Sequence, residues 1–259
     1  MDSVRETAPA EMSPAALAWY GNAAKMRIVE RLIADRTPRI VFDYGAGGGA
    51  GWAETLRLHP EITLFAYEPD PESARRLRQA VPGAQLFEGD VADVSVQADI
   101  AVSFSVFEHV ADRRTYLHHA MRCLKPGGTF FLNYDDGHFR HPGNRLDSLR
   151  NLAAPILPRI GLTRYYQSTV RKEDADRMIA DAGFTVVDDR YENLEGIKNL
   201  SKTIEAASRA GFARMWLDLE GRLNREFTRQ SAQAFHGDST NLWLELASRT
   251  LELKKSRVP

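Results

Sequence analysis

The chain has 259 residues, 43% of them hydrophobic and 27% charged, with a formal net charge of −1. That length can bury a sizeable core, the composition is that of a globular protein, and near-neutrality removes any whole-molecule case for binding nucleic acid or a membrane surface. A single cysteine, Cys123, excludes an internal disulfide and fits a reducing, cytoplasmic compartment. No apolar run approaches the ~18 residues that cross a bilayer, and the acidic, polar N-terminus lacks a signal-peptide pattern.

In chain order, Ser13-Pro14 opens a helix over 14–35, with Leu17, Met26, Ile28, Val29, Leu32 and Ile33 on a helical period. Strand-like runs follow at 39–43, 62–67, 84–87, 99–104 and 129–134, separated by helical patterns at 50–58, 71–80 and 112–124. Such alternation predicts a parallel sheet with helices on both faces, and short apolar runs such as 100–104 suit strands covered on both sides. Cys123 falls on the third of these helices and reads as a buried structural thiol. Residues 135–170 break the rhythm with Pro142, Pro155 and Pro158. A helix at about 171–182, a strand at 184–190, a long helix over roughly 199–232 and a strand at about 241–250 complete the pattern. The tail from Lys254 reads as a solvated end. The expectation is one α/β domain over 1–259, with a core of about 36–134, 171–192 and 239–252. Two helical insertions, at about 135–170 and 193–238, would form a lid.

Residues Val41 to Gly51, VFDYGAGGGAG, lie where a strand breaks into glycines and then a helix. This is the layout of a nucleotide-type cofactor loop, in which glycines let the backbone turn sharply and approach a ligand. The glycines alone also satisfy a dinucleotide pattern. Asp43 separates the two readings: a carboxylate beside the loop would repel a pyrophosphate, whereas S-adenosylmethionine has no phosphate and presents an ammonium and a sulfonium. Glu68, at the end of the second strand, can accept from both hydroxyls of a ribose. Asp90, after the third, can accept from an adenine amino group.

DYGAGGG at 43–49, YEPD at 67–70, EGD at 88–90, FEHV at 107–110 and LKPGG at 124–128 occur in this order. The series resembles the class I S-adenosylmethionine-dependent methyltransferases, and most of all their small-molecule branch, which includes ubiquinone-type methyltransferases. The resemblance implies a Rossmann-like, mostly parallel sheet of seven strands, the last antiparallel and inserted between the fifth and sixth. It further implies that Asp43, Gly45 and Gly47 hold the methionine end of S-adenosylmethionine, Glu68 with Pro69 the ribose, and Asp90 with Val91 the adenine. Phe104 and Ser105 would lie under the methionine moiety, and Tyr20, with Trp19, is a candidate to cap the cofactor.

Methyl transfer from a sulfonium is an in-line displacement with an activated leaving group, so the protein must align the acceptor and exclude water. A hydroxyl acceptor also needs a base. His109, after the fourth strand, is the leading candidate, with Asp135 and His138 in the next strand's loop as further ones. No metal is expected, because Ser105 replaces the first acid of the Glu-x-x-Glu-His pattern seen in metal-assisted relatives. From residue 137 to 172 seven basic residues face the single acid Asp147, a net +6. Arginine forks suit phosphate or carboxylate, so an anionic acceptor is one reading and a solvated lid the other. The function expected is a cytoplasmic enzyme, monomer or homodimer, that O-methylates a small molecule or sugar in small-molecule biosynthesis. N- or C-methylation of an anionic metabolite is the alternative. RNA methylation is disfavoured by the scarcity of interleaved aromatic and basic residues.

Overall fold

The computed structural model describes residues 29–30, 32–34, 36–49, 51–135, 153–154, 156, 166–194, 203–205, 208–231 and 246–255. Seven strands form one sheet in the order β3-β2-β1-β4-β5-β7-β6. In chain order they are β1 Ile40–Tyr44, β2 Thr63–Tyr67, β3 Gln85–Phe87, β4 Ala98–Phe104, β5 Leu124–Asp135, β6 Phe184–Leu194 and β7 Leu246–Lys255. The pairs β1–β2, β1–β4, β2–β3 and β4–β5 are parallel, and β7 runs antiparallel to both neighbours. The expected α/β architecture is therefore present, with the last strand between the fifth and sixth.

Helices α1 Trp52–Leu58, α2 Pro71–Ala80, α3 Arg113–Arg122, α4 Lys172–Asp181 and α5 Arg209–Ser231 follow the predicted pattern with shifted ends. Alternate residues of β1 to β5 feed two separate cores. Phe42, Tyr44, Phe130, Leu132 and Tyr134 pack with Leu117 of α3 and Ile179 of α4 on one face. Val41, Leu64, Ala66, Ile100, Val102 and Phe131 pack with Trp52, Leu77, Val29, Leu32 and Ile33 on the other. A doubly covered sheet requires this two-sided burial, which is why its strands read as nearly continuous apolar runs.

Three boundaries differ from the sequence reading. The long helix starts at Arg209 rather than near 199. Motif LKPGG belongs to β5 itself, with a register irregularity against β4 between Ala98 and Ile100. Strand β7, described over Leu246–Lys255, continues past the end of the run read at 241–250. Ser248, Arg249 and Thr250 are buried, and their partners come from distant elements. Consequently Lys254 and Lys255 are not a solvated tail. Lys255 Nζ donates to the carbonyls of Met121 (2.9 Å) and Leu124 (2.6 Å).

The start of β5 is fixed by one carboxylate. Asp99 accepts from Lys125 Nζ (2.6 Å) and from the amides of Arg39 and Ile40 (2.9 Å each). Burial tends to raise the Asp99 carboxyl, but Lys125 and the two amides outweigh it and hold it below the usual range. A Cβ at Gly128 would lie 2.9 Å from the Lys125 carbonyl oxygen and 3.2 Å from that of Ala98. Backbone cannot yield as a side-chain tip can, so Gly128→Ala is expected to cost about 1–3 kcal/mol in urea unfolding. An unchanged midpoint would contradict this account.

Candidate active site

The order β3-β2-β1-β4-β5 reverses direction between β1 and β4, and the crevice beyond the C-terminal ends of those strands is where ligands bind in open α/β sheets. The loop after β1 is drawn over this edge. Gly45 and Ala46 both donate to the Tyr67 carbonyl at the end of β2, at 2.9 and 3.1 Å. Gly45 has φ +93, and a Cβ there would sit 2.4 Å from Val106 Cγ2. Both the left-handed backbone and the close approach to the β4 loop require glycine.

Two carboxylates flank this loop. Asp43, the penultimate residue of β1, is buried, and its Oδ2 accepts the indole N–H of buried Trp52 at 2.6 Å. Glu68, just past β2, is 8% exposed. Its Oε2 accepts from the Gly47 amide (2.7 Å) and its Oε1 from the Asp70 amide (2.9 Å). Pro69 links it to Asp70, which caps α2 by accepting from the Ser73 amide at 2.9 Å. Farther along the edge, Asp90 caps a short 3₁₀ turn, Val91–Asp93, accepting from Ala92 N at 2.9 Å.

At the end of β4, Phe104 is half-buried and Ser105 is held at φ +54, a left-handed conformation uncommon for a residue with a side chain. The Ser105 amide donates to the Asn133 carbonyl on β5 at 3.0 Å. His109 closes the 3₁₀ turn Phe107–His109, and its Nδ1 lies 3.1 Å from the Tyr166 carbonyl oxygen. A carbonyl only accepts, so Nδ1 carries the proton and Nε2 is the ring's acceptor. Although the side chain keeps an exposed edge, protein packed around the ring lowers the imidazole pKa below its ordinary value. The Tyr166 carbonyl opposes that shift and Arg113 adds to it.

Arg113 is the residue that stitches this turn to the end of the basic segment. It donates to the carbonyls of Phe107 (3.0 Å), Ser168 (2.8 Å) and Thr169 (3.2 Å) and to Ser168 Oγ (2.7 Å). The Ser168 amide in turn donates to the Glu108 carbonyl at 3.0 Å. Thus the structure brings Asp43, Gly45, Gly47 and Glu68 to one loop, sets Phe104, Ser105 and His109 on the neighbouring strand end, and places Asp90 and Val91 beyond β3. Asp135 closes β5 opposite Ser248. Tyr20, Trp19 and His138 lie outside the described residues. Sequence reasoning missed Trp52 and Arg113, since an apolar-looking residue at a helix start and an arginine on a helix carry no functional pattern.

The donor set fits S-adenosylmethionine rather than a dinucleotide. An acid such as Glu68 would serve the ribose of either cofactor, but the buried Asp43 carboxylate beside the glycine loop would repel a pyrophosphate and suits a cationic methionine end. Comparison with known proteins agrees. Residues 18–189 match the family model described as "Methyltransferase domain", and the chain belongs to that family. Curated relatives that it resembles are named as S-adenosylmethionine-dependent methyltransferases.

Among curated proteins, it is 22% identical over 146 residues to a "Probable S-adenosylmethionine-dependent methyltransferase" of Mycolicibacterium smegmatis, covering 55% of this chain and 51% of that one. It is 23% identical over 175 residues to a ubiquinone biosynthesis O-methyltransferase of Rhizobium leguminosarum bv. trifolii, covering 64% of this chain and 68% of that one. The chain thus spans about half to two thirds of the length of these relatives. Its fold is similar to the cyclopropane synthase MmaA2 of Mycobacterium tuberculosis, with TM-score 0.55, 15% identity, and coverage of 88% of this chain and 84% of that one. The plantazolicin methyltransferase BamL matches with TM-score 0.53 and 13% identity over 93% of this chain and 82% of that one. Among the described residues no helix is long and apolar enough to cross a membrane.

Proposed function

We propose that the chain transfers the methyl group of S-adenosylmethionine to a hydroxyl of a small molecule. The observation that carries the reading is the pair of flanking carboxylates, Asp43 and Glu68, on a loop whose Gly47 amide is bound to one of them. Asp43, with Gly45 and Gly47, receives the cationic methionine end. Glu68 and Pro69 hold the ribose, and Asp90 with Val91 the adenine. Phe104 and Ser105 form the floor beneath the methionine moiety. The cofactor brings an electrophilic methyl group on a sulfonium. The chain's own residues bind and orient, exclude water and accept a proton. Two matched relatives are named as ubiquinone biosynthesis O-methyltransferases, which supports a small-molecule hydroxyl as acceptor. The net +6 over residues 137–172 supports an anionic acceptor.

His109 is the base of this reading, with Nε2 turned to the acceptor because the Tyr166 carbonyl holds the proton on Nδ1. Calorimetry with S-adenosylhomocysteine tests the cofactor; absence of binding would remove the proposal. The base has its own signature. Since the imidazole pKa is lowered, the neutral, active form prevails at pH 7, and activity falls only as pH drops through that lowered pKa. His109→Gln is expected to lose about 10²-fold in kcat and to abolish that acidic limb. A variant of near-normal rate with the limb intact would favour N- or C-methylation, which needs no base.

A further inference from the structure

Beyond the residues assigned to the cofactor, we infer that Trp52 is a positioning residue for the methionine end of S-adenosylmethionine, acting through Asp43. This rests on the reading that Asp43 receives that end. The two side chains are separated by the whole glycine loop, nine residues in sequence, yet the indole Nε1 lies 2.6 Å from Asp43 Oδ2. Both residues are buried, Trp52 at 3% and Asp43 at 5% exposure. A buried carboxylate stands only where hydrogen bonds replace its lost hydration, and a bond to an ionised acceptor is short and strong.

Geometry explains why this residue can do it. Asp43 points to the sheet face opposite Phe42 and Tyr44, and Trp52, the first residue of α1, enters the core on that face. An aliphatic side chain at position 52 would fill the same space and donate nothing. Tryptophan adds one fixed N–H on a side chain with two torsions, held within the buried cluster that includes Val41, Leu64 and Leu77. The contact does two things at once. It sets the plane of the Asp43 carboxylate, and it closes the base of the loop while the Glu68–Gly47 bond closes its tip. A loop tied at both ends is already shaped before the cofactor arrives, which lowers the entropy that binding must overcome.

The test compares two ligands by calorimetry. S-adenosylhomocysteine carries the amino-acid end, and 5′-methylthioadenosine shares its adenine and ribose but lacks that end. In Trp52→Phe, affinity for S-adenosylhomocysteine is expected to fall about tenfold, while affinity for 5′-methylthioadenosine stays within about twofold. Equal losses for both ligands, or no loss for either, overturn the inference. Should Trp52→Phe fail to fold, 3-benzothienylalanine at position 52 keeps the bicyclic volume and removes only the N–H, and the same criteria apply. Asp43→Asn run in parallel separates the two levels. If it leaves the preference for S-adenosylhomocysteine untouched, the placement of the methionine end at Asp43 is wrong. If it destroys that preference and Trp52→Phe does not, only the positioning role is wrong.

Discussion

Arg249→Met is expected to destabilise the fold by about 2–4 kcal/mol, because four hydrogen bonds of a buried guanidinium, most of them to partly exposed carboxylates, are lost together. Arg249 lies on β7 and is 2% exposed. Its guanidinium meets Asp189 on β6 through two parallel bonds, Nε to Oδ1 at 2.8 Å and Nη2 to Oδ2 at 2.7 Å. Nη1 donates to Asp176 of α4 at 2.7 Å and to the Tyr134 hydroxyl of β5 at 3.1 Å. One side chain thus joins β5, β6, β7 and α4 at the β5-β7-β6 side of the sheet. Methionine matches much of the volume, so the loss reports the broken bonds to Asp189, Asp176 and Tyr134 rather than a cavity. At this chain length the melting temperature should fall by about 10 °C. A shift below about 2 °C would show the network to be neutral.

The same network has a pH signature. Burial raises the Asp176 carboxyl, but Lys172, at 2.9 Å, and Arg249 outweigh it and lower its pKa from the ordinary value of 3.8. A group whose folded pKa is depressed contributes stability above its unfolded pKa and loses it as pH falls through the folded one. Wild type should therefore lose this contribution below about pH 4, and Arg249→Met should lose less there, having forfeited part of it already.

The first half of the fold was legible because local signals and global packing agree. A glycine run ends a strand, Pro71 starts a helix capped by Asp70, and β1 to β5 are apolar enough to announce a covered sheet. The glycine loop after β1 was legible for the same reason: its residues are consecutive. What stayed hidden depends on pairs far apart in the chain. Arg249 in a β-strand looks solvent-facing until Asp189, 60 positions away, and Tyr134, 115 away, are known. The sequence reading also stopped β7 near 250, because Lys254 and Lys255 read as a solvated end. Likewise Trp52 reads as an apolar anchor until Asp43 is seen beneath its N–H, and Cys123, correctly placed in the core, is held inert by burial that lifts its thiol to about 11.

Glu68→Gln should weaken S-adenosylhomocysteine binding about 10³-fold, because two bonds to a charged acceptor, each about 2 kcal/mol, are lost together. The carboxylate accepts from the amides of Gly47 and Asp70, one per oxygen. Each carboxylate oxygen has a second lone pair, so Glu68 can keep both amides while accepting the two ribose hydroxyls. Glutamine cannot. Its NH2 would face an amide N–H, donor against donor, so one end of the clamp opens and one ribose acceptor disappears. The decisive comparison is again with 5′-methylthioadenosine. It retains the ribose, so Glu68→Gln should weaken both ligands by the same factor, unlike changes at Asp43 or Trp52, which spare it. Were 5′-methylthioadenosine unaffected, Glu68 would be a loop clamp without a ribose, and the assignment of the sugar to the end of β2 would fall while the glycine loop kept its role.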